Sequence, residues 1–318
     1  MTASAAHPAS RSTRLAGYAF ALGAGTLWGT TGPLSTALYA AGAGLTGIGF
    51  WRILIGTLCF IPYGLLQPGF FRVDRRGFLI MAVLGGALAA LFEVAYQFGI
   101  AGAGVAGAAA LLYTAPVMVA LLAKPLLGES LTPIRLLLAL VVMAGAALTV
   151  NGDSHGAGLA GVSTPSLVAG VSGGLLAAAS YAGTTVLARW AVPRYGVARV
   201  LFYQLIGGTV MLGVVLPLAG RPPAPPYTLG GWVYLITLVL ATVLLANILF
   251  YAGVRRIDAA PTAVAATIEP VVATLLALVL FGQRLTSFGW LGLAMVVGGV
   301  SGGYIEEATT GAPPTQSP

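Results

Sequence analysis

Three ionisable side chains stand where an apolar sequence would be expected to carry none. Arg52 follows Phe50-Trp51, Glu93 follows Leu91-Phe92, and Glu269 precedes Pro270, each well inside a long apolar run. An ion within a bilayer is costly, and it persists facing a partner or a wet cavity. A guanidinium there can hold a carboxylate. A carboxylate can hold an amine or form part of a path for a cation or a proton. The plainer alternative is a buried structural pair, Arg52 with one of the glutamates. Glu93 and Gln97 are four residues apart and share a helical face, as do Asn247 and Tyr251, so both faces are expected to line one central space. Trp28, Tyr96, Tyr113, Tyr181, Tyr203 and Tyr251 also fall inside apolar runs. Such rings accept a ligand by stacking or by cation–π contact, or they pack between helices.

Other chemistries are missing. His7 and His155 lie outside the apolar runs, Cys59 is the sole cysteine, and there is no metal-ligand spacing and no Gly-x4-Gly-Lys loop. An enzyme, a bound cofactor and a nucleotide-driven motor are therefore not expected.

The elements that must position these residues follow from composition. The chain has 318 residues, 58% hydrophobic and 7% charged, with a mean hydropathy of +0.94. Soluble domains carry about 25% charged residues, so lipid must be the solvent. The net charge of +7 does not point to nucleic acid, because the basic residues are scattered between apolar runs. A spanning helix needs about 20 apolar residues. On that measure ten spans are expected: 15–38, 45–66, 76–99, 104–126, 132–150, 167–188, 196–218, 229–252, 260–281 and 286–305. The fold expected is all-α, flanked by a cytoplasmic tail at 1–14 and a disordered cytoplasmic tail at 306–318. With the N-terminus in the cytoplasm, twelve of the 15 Lys and Arg residues fall on the cytoplasmic side, Arg221 and Arg284 fall opposite, and Arg52 lies within a span.

The ten spans divide into two fives. At a shift of 154, Tyr96-Gln97-Phe98-Gly99 falls on Phe250-Tyr251-Ala252-Gly253, Pro116-Val117 on Pro270-Val271, and Gly128-Glu129-Ser130-Leu131-Thr132 on Gly282-Gln283-Arg284-Leu285-Thr286, without a gap. Glu93 falls on Asn247, Glu269 on Ala115 and, at a shift of 152, Arg52 on Gln204, which joins the candidate site. Five is odd, so the second copy (167–305) enters the membrane opposite to the first (15–150), with an extracytoplasmic linker at 151–166. Inverted repeats offer a route to alternating access, with a site near the midplane. Pro116 and Pro270 each free a carbonyl four residues back, at Leu112 and Ala266, and are candidates for gating kinks or static ones. Gly25-x-x-x-Gly29, Gly170-x-x-x-Gly174 and Gly299-x-x-x-Gly303 suit close contacts within one bundle, which is compatible with a monomer; a dimer face at the last helix is the lesser alternative.

Trp28-Gly29, Phe50-Trp51-Arg52, Pro116 with Gly128-Glu129-Ser130-Leu131-Thr132, and their partners Pro270 and Gly282-Gln283-Arg284-Leu285-Thr286 resemble the EamA domain. The resemblance covers about 15–305 and implies the drug/metabolite transporter superfamily, nearest to bacterial exporters of aromatic and other amino acids. It implies a multi-pass protein of the bacterial inner membrane with both termini cytoplasmic. It also implies a path enclosed by spans 1–4 and 6–9, with 5 and 10 packed outside. Arg52 and Glu129 match the family pattern, whereas Gln283 departs from it. The expected partners are the bilayer and a small-molecule cargo, amino acids first, then sugars, nucleobases, nucleotide precursors or cationic drugs.

Overall fold

The computed structural model describes residues 11–151, 164–226, 228–281 and 286–310. The chain runs α1 (Arg11–Trp28), α2 (Thr31–Ala40), α3 (Leu45–Leu66) and α4 (Arg75–Phe78), then through a π-helical segment (Leu79–Leu84) into α5 (Gly85–Leu112). There follow α6 (Ala115–Leu127), α7 (Pro133–Asn151), α8 (Thr164–Tyr195) and α9 (Val197–Leu218). Last come α10 (Leu229–Leu238), a second π-helical segment (Val239–Leu245), α11 (Ala246–Val254), α12 (Ala259–Ala266), α13 (Glu269–Phe281) and α14 (Ser287–Thr310). No strand occurs among the described residues.

Seven described stretches are long and apolar enough to cross a membrane, and Pro133–Leu148 and Ala259–Ala273 are shorter apolar helices. The difference from ten unbroken spans has a physical origin. Turns interrupt the expected helices at 29–30, 113–114 and 267–268. The last two breaks lie 154 residues apart, the register of the sequence repeat, and each places its proline second in the helix that follows. Pro116 and Pro270 therefore open α6 and α13 rather than bend a continuous helix. That position suits a residue with no N–H to donate. Conversely, α5 reverses within itself. A Cβ at Gly99 would lie 3.2 Å from the Ala108 Cβ, whereas nine residues of straight helix rise about 13.5 Å. At the far end α14 continues past 305 to Thr310. Of the linker expected at 151–166, residues 152–163 lie outside the described residues, as do Gln283 and parts of both tails, while Asn151 ends α7 and Thr164 already begins α8.

Small residues let the helices approach. Gly25 and Gly29 seat α1 on the 267–268 break, where a Cβ would meet the Ala266 carbonyl or the Val272 side chain. Gly173 lies against the Ala95 carbonyl and Gly174 against Leu111, so α8 packs on both arms of α5. The helices that correspond in the two repeats run antiparallel. Along α3 and α9 the contacts are Phe50 with Gly213, Ile53 with Gly208 and Gly56 with Leu205. Along α7 and α14 they are Gly145 with Met295, Val142 with Gly299 and Leu138 with Gly302. The Thr57 and Thr209 hydroxyls, 152 residues apart, meet at 3.3 Å.

A Cβ at Gly207 would collide with the Ala82 carbonyl oxygen, while nothing lies within 4 Å of one at Gly298. Overpacking costs about 1–3 kcal/mol, so Gly207→Ala should lower the thermal midpoint in detergent and Gly298→Ala should not. Equal midpoints would refute the close approach.

Candidate functional site

The helix breaks and the second π-helical segment border one cavity of about 200 Å³, its wall mostly apolar with a few charged and polar side chains set into it. Of the residues singled out in the sequence, Trp28, Arg52, Glu93, Tyr96, Tyr181, Gln204, Asn247, Tyr251 and Glu269 line it. Leu112, which precedes the break at 113–114, and Glu269, which follows the break at 267–268, both line it. Drug-sized ligands occupy pockets of about 300–1,000 Å³, so this one suits a small metabolite.

The electrostatics are those of an incomplete pair. Arg52 Nη1 lies 3.8 Å from Glu93 Oε1, with side-chain exposures of 19% and 10%. That separation is beyond hydrogen-bond distance. Arg52 Nε is buried without a hydrogen-bond partner among the described residues, and so is Gln204 Nε2. Glu269 sits in the first turn of α13, where the helix dipole favours a carboxylate. Close approaches shape these groups from behind: a Cβ at Gly49 would lie 3.0 Å from Glu93 Oε2, and one at Gly85 would lie 2.7 Å from Gln204 Cγ. Tyr251 donates its hydroxyl to Gln204 Oε1.

The second π-helical segment presents its carbonyls to the cavity. Thr242 O accepts the Trp28 indole N–H at 2.9 Å and the Asn247 amide at 3.2 Å, and Asn247 also donates to Val243 O at 2.8 Å. Such segments are frequent at functional sites because they leave backbone groups unspent. Trp28 also meets Tyr181 at 6.0 Å and Phe250 at 5.2 Å between ring centroids, forming one aromatic wall.

Other expected residues lie elsewhere. Tyr203 does not line the cavity; its hydroxyl donates to Phe71 O at 2.8 Å and its ring packs on Phe202 and Phe78. A tyrosine needs one hydrogen-bond partner when buried, and a loop carbonyl supplies it. Tyr113 is buried beside Val271 and Ala265 in a separate apolar cluster. The Gln97 side chain lies outside the described residues. Sequence reasoning missed Thr31, Phe92, Thr184, Thr185, Thr242 and Phe250, all of which line the cavity. Thr185 stands four residues after Tyr181, a same-face signal that was available.

A second polar assembly was also missed. Glu129 on the α6–α7 link lies 3.3 Å from Arg189 of α8, and Arg189 lies 2.9 Å from Asp258, which precedes α12 without capping it by its own side chain. Arg135 of α7 lies 3.2 Å from Asp258 and 3.2 Å from Glu306 of α14. All five are buried. Glu129 accepts the Ala259 N–H at 2.9 and 3.1 Å, so it caps α12 from another segment while the Asp258 carboxylate is engaged by arginines. Burial first, and the Asp258 carboxylate second, push the Glu129 carboxyl up to about 7.

A multi-pass bundle with a small chamber that holds buried charged side chains has the build of a membrane transporter. The EamA-like transporter family matches the chain twice, over residues 15–151 and 168–303, and the chain belongs to that family. It is 30% identical over 271 residues to an uncharacterized transporter of Archaeoglobus fulgidus, covering 85% of this chain and 90% of that one. It is 32% identical over 195 residues to the pseudopaline exporter CntI of Pseudomonas aeruginosa, covering 61% and 63% respectively. A solved crystal structure shares the fold with a TM-score of 0.77 at 21% identity, covering 95% of this chain and all of that chain.

Trp28→Phe and Asn247→Leu each remove a donor to Thr242 O. Groups sharing one acceptor are expected to couple by about 0.5–3 kcal/mol, so the double variant should depart from additivity in thermal unfolding. Strict additivity would argue against the shared carbonyl.

Proposed function

We propose that this protein exports amino acids or related small metabolites across the bacterial inner membrane by alternating access between two inverted repeats. The observation that carries the reading is the unclosed Arg52–Glu93 pair, which shares one small chamber with Glu269 and an aromatic wall. A guanidinium with unspent donors suits a carboxylate, the two glutamates suit an ammonium, and Trp28, Tyr181 and Phe250 suit an apolar side chain. Tyr96, Gln204, Asn247 and Tyr251 complete the proposed contact set. The pseudopaline exporter among the relatives favours small-metabolite export.

Ten spans follow on this reading if each interrupted helix is one crossing and the two arms of α5 belong to two. The antiparallel courses of α3 with α9 and of α7 with α14 support inversion of the copies, taken as 15–150 and 167–305. The distribution of Lys and Arg supports cytoplasmic termini and an extracytoplasmic linker at 151–166. The breaks ahead of Pro116 and Pro270 are the proposed hinges, since a turn already open in both repeats can change angle without breaking further hydrogen bonds.

One observation favours a second cargo. With Arg52 against Glu93 and Glu269, the chamber ions sum to one negative charge, which suits a cationic drug or a polyamine-like metabolite. Efflux from proteoliposomes loaded with an amino-acid panel, and with an organic cation, separates the two. Amino-acid efflux is expected, with Arg52→Gln and Glu93→Gln each lowering it at least tenfold. Transport of the cation alone would replace the first reading with the second.

A further inference from the structure

The buried assembly at the Glu129 end has a position and a charge count that the chamber does not explain. Its members alternate in sign along one path, Glu129–Arg189–Asp258–Arg135–Glu306. Glu129 and Arg135 belong to the first repeat, Arg189 and Asp258 to the second, and Glu306 to the end of α14 just past it, so most of the pairs tie the first half of the chain to the second. Between this path and the chamber lies a dry plug. Val119, Ala120 and Ala123 of α6 pack there against Val186 of α8 and against Ala260 and Ala263 of α12. Along α8 the order is chamber (Tyr181, Thr185), plug (Val186), network (Arg189), so the chamber is closed at this end.

Among the described ion pairs three carboxylates meet two guanidiniums, and every one of these side chains is less than a tenth exposed. A surplus buried charge is expensive, and a proton removes it. We propose that this five-residue network is the latch closing one end of the transport path, and that closing it takes up one proton from the solution on that side. The proposal rests on the alternating-access reading, and the orientation argued above puts the latch at the cytoplasmic end.

Glu129 is the group that takes the proton. The charged groups facing it are Arg189 from α8 and Asp258 from the start of α12, with Arg135 of α7 and Glu306 of α14 one step further along the path; Lys124, on the preceding α6, is exposed. Closed, its carboxyl titrates at about 7; open and wet, it returns to an ordinary carboxylate value of about 4.3. A value raised in the closed state means that acid favours closure. The preference is complete below the open-state value and is lost as pH rises through about 7. Between pH 6 and pH 8 the closed-to-open ratio should fall about tenfold.

The test uses the full chain with Cys59→Ser, spin-labelled at Leu126→Cys on α6 and Arg255→Cys beside α12, in lipid nanodiscs at pH 6 and pH 8. Dipolar distances should show the short population dominant at pH 6 and reduced about tenfold relative to the long one at pH 8. Glu129→Gln, which keeps the shape of a protonated carboxyl, should abolish the pH response and hold the short distance. Arg189→Gln should favour the long distance at both pH values; if it does not fold, Glu129→Gln alone decides. Identical distributions at the two pH values in the parent, or a full pH response surviving in Glu129→Gln, would overturn the latch. The measurement needs no substrate. A failed latch with intact efflux leaves the export reading standing, and a working latch without efflux counts against the cargo alone.

Discussion

Lipid offers no hydrogen bonds, so a polar group within the membrane must find its partner inside the protein. Much of this architecture follows from where broken backbone meets that requirement. At 113–114 and 267–268 the ladder stops, and Thr114 and Thr267 return their hydroxyls to Leu111 O and Ala263 O. The Ala266 carbonyl freed at the second break faces Gly25, the one kind of residue on α1 that permits so close an approach. In the second π-helical segment, Trp28 and Asn247 cover the loose Thr242 carbonyl. The last of these solutions lies in the chamber wall itself, where Trp28, Thr242 and Asn247 meet.

Charge follows the same rule with two outcomes. At the Glu129 end each acid meets an arginine and the backbone of α12 is capped by a distant carboxylate. In the chamber the pairing is left unfinished, with Arg52 and Glu93 too far apart to bond and Gln204 holding an unspent donor. A ligand that supplies the missing partners gains what the protein withholds.

Much of this was legible in the sequence. The apolar runs, the sparse charge and the 154-residue register all reappear, the register as two matched backbone breaks. Arg52, Glu93 and Glu269 were visible because a charge in an apolar run has few explanations. Tyr203 and Tyr113 misled because a tyrosine within a span looks alike whether it faces a chamber, a loop carbonyl or a neighbouring helix. The π-helical segments leave no periodic trace in residues that are apolar on every face. The ionic path was hidden for another reason. Each of Glu129, Arg135, Arg189, Asp258 and Glu306 stands near the end of a separate helix, where an isolated charge is ordinary, and only the fold brings them together.

The Thr57–Thr209 contact has a geometric meaning of its own. Two residues that correspond in the repeats can touch only near the axis that relates the copies. Should the halves trade shapes during a cycle, points far from this axis sweep the largest arcs, while this pair maps onto itself. In such a cycle the two hydroxyls would mark a fulcrum, a stationary origin for measuring displacement elsewhere in the bundle.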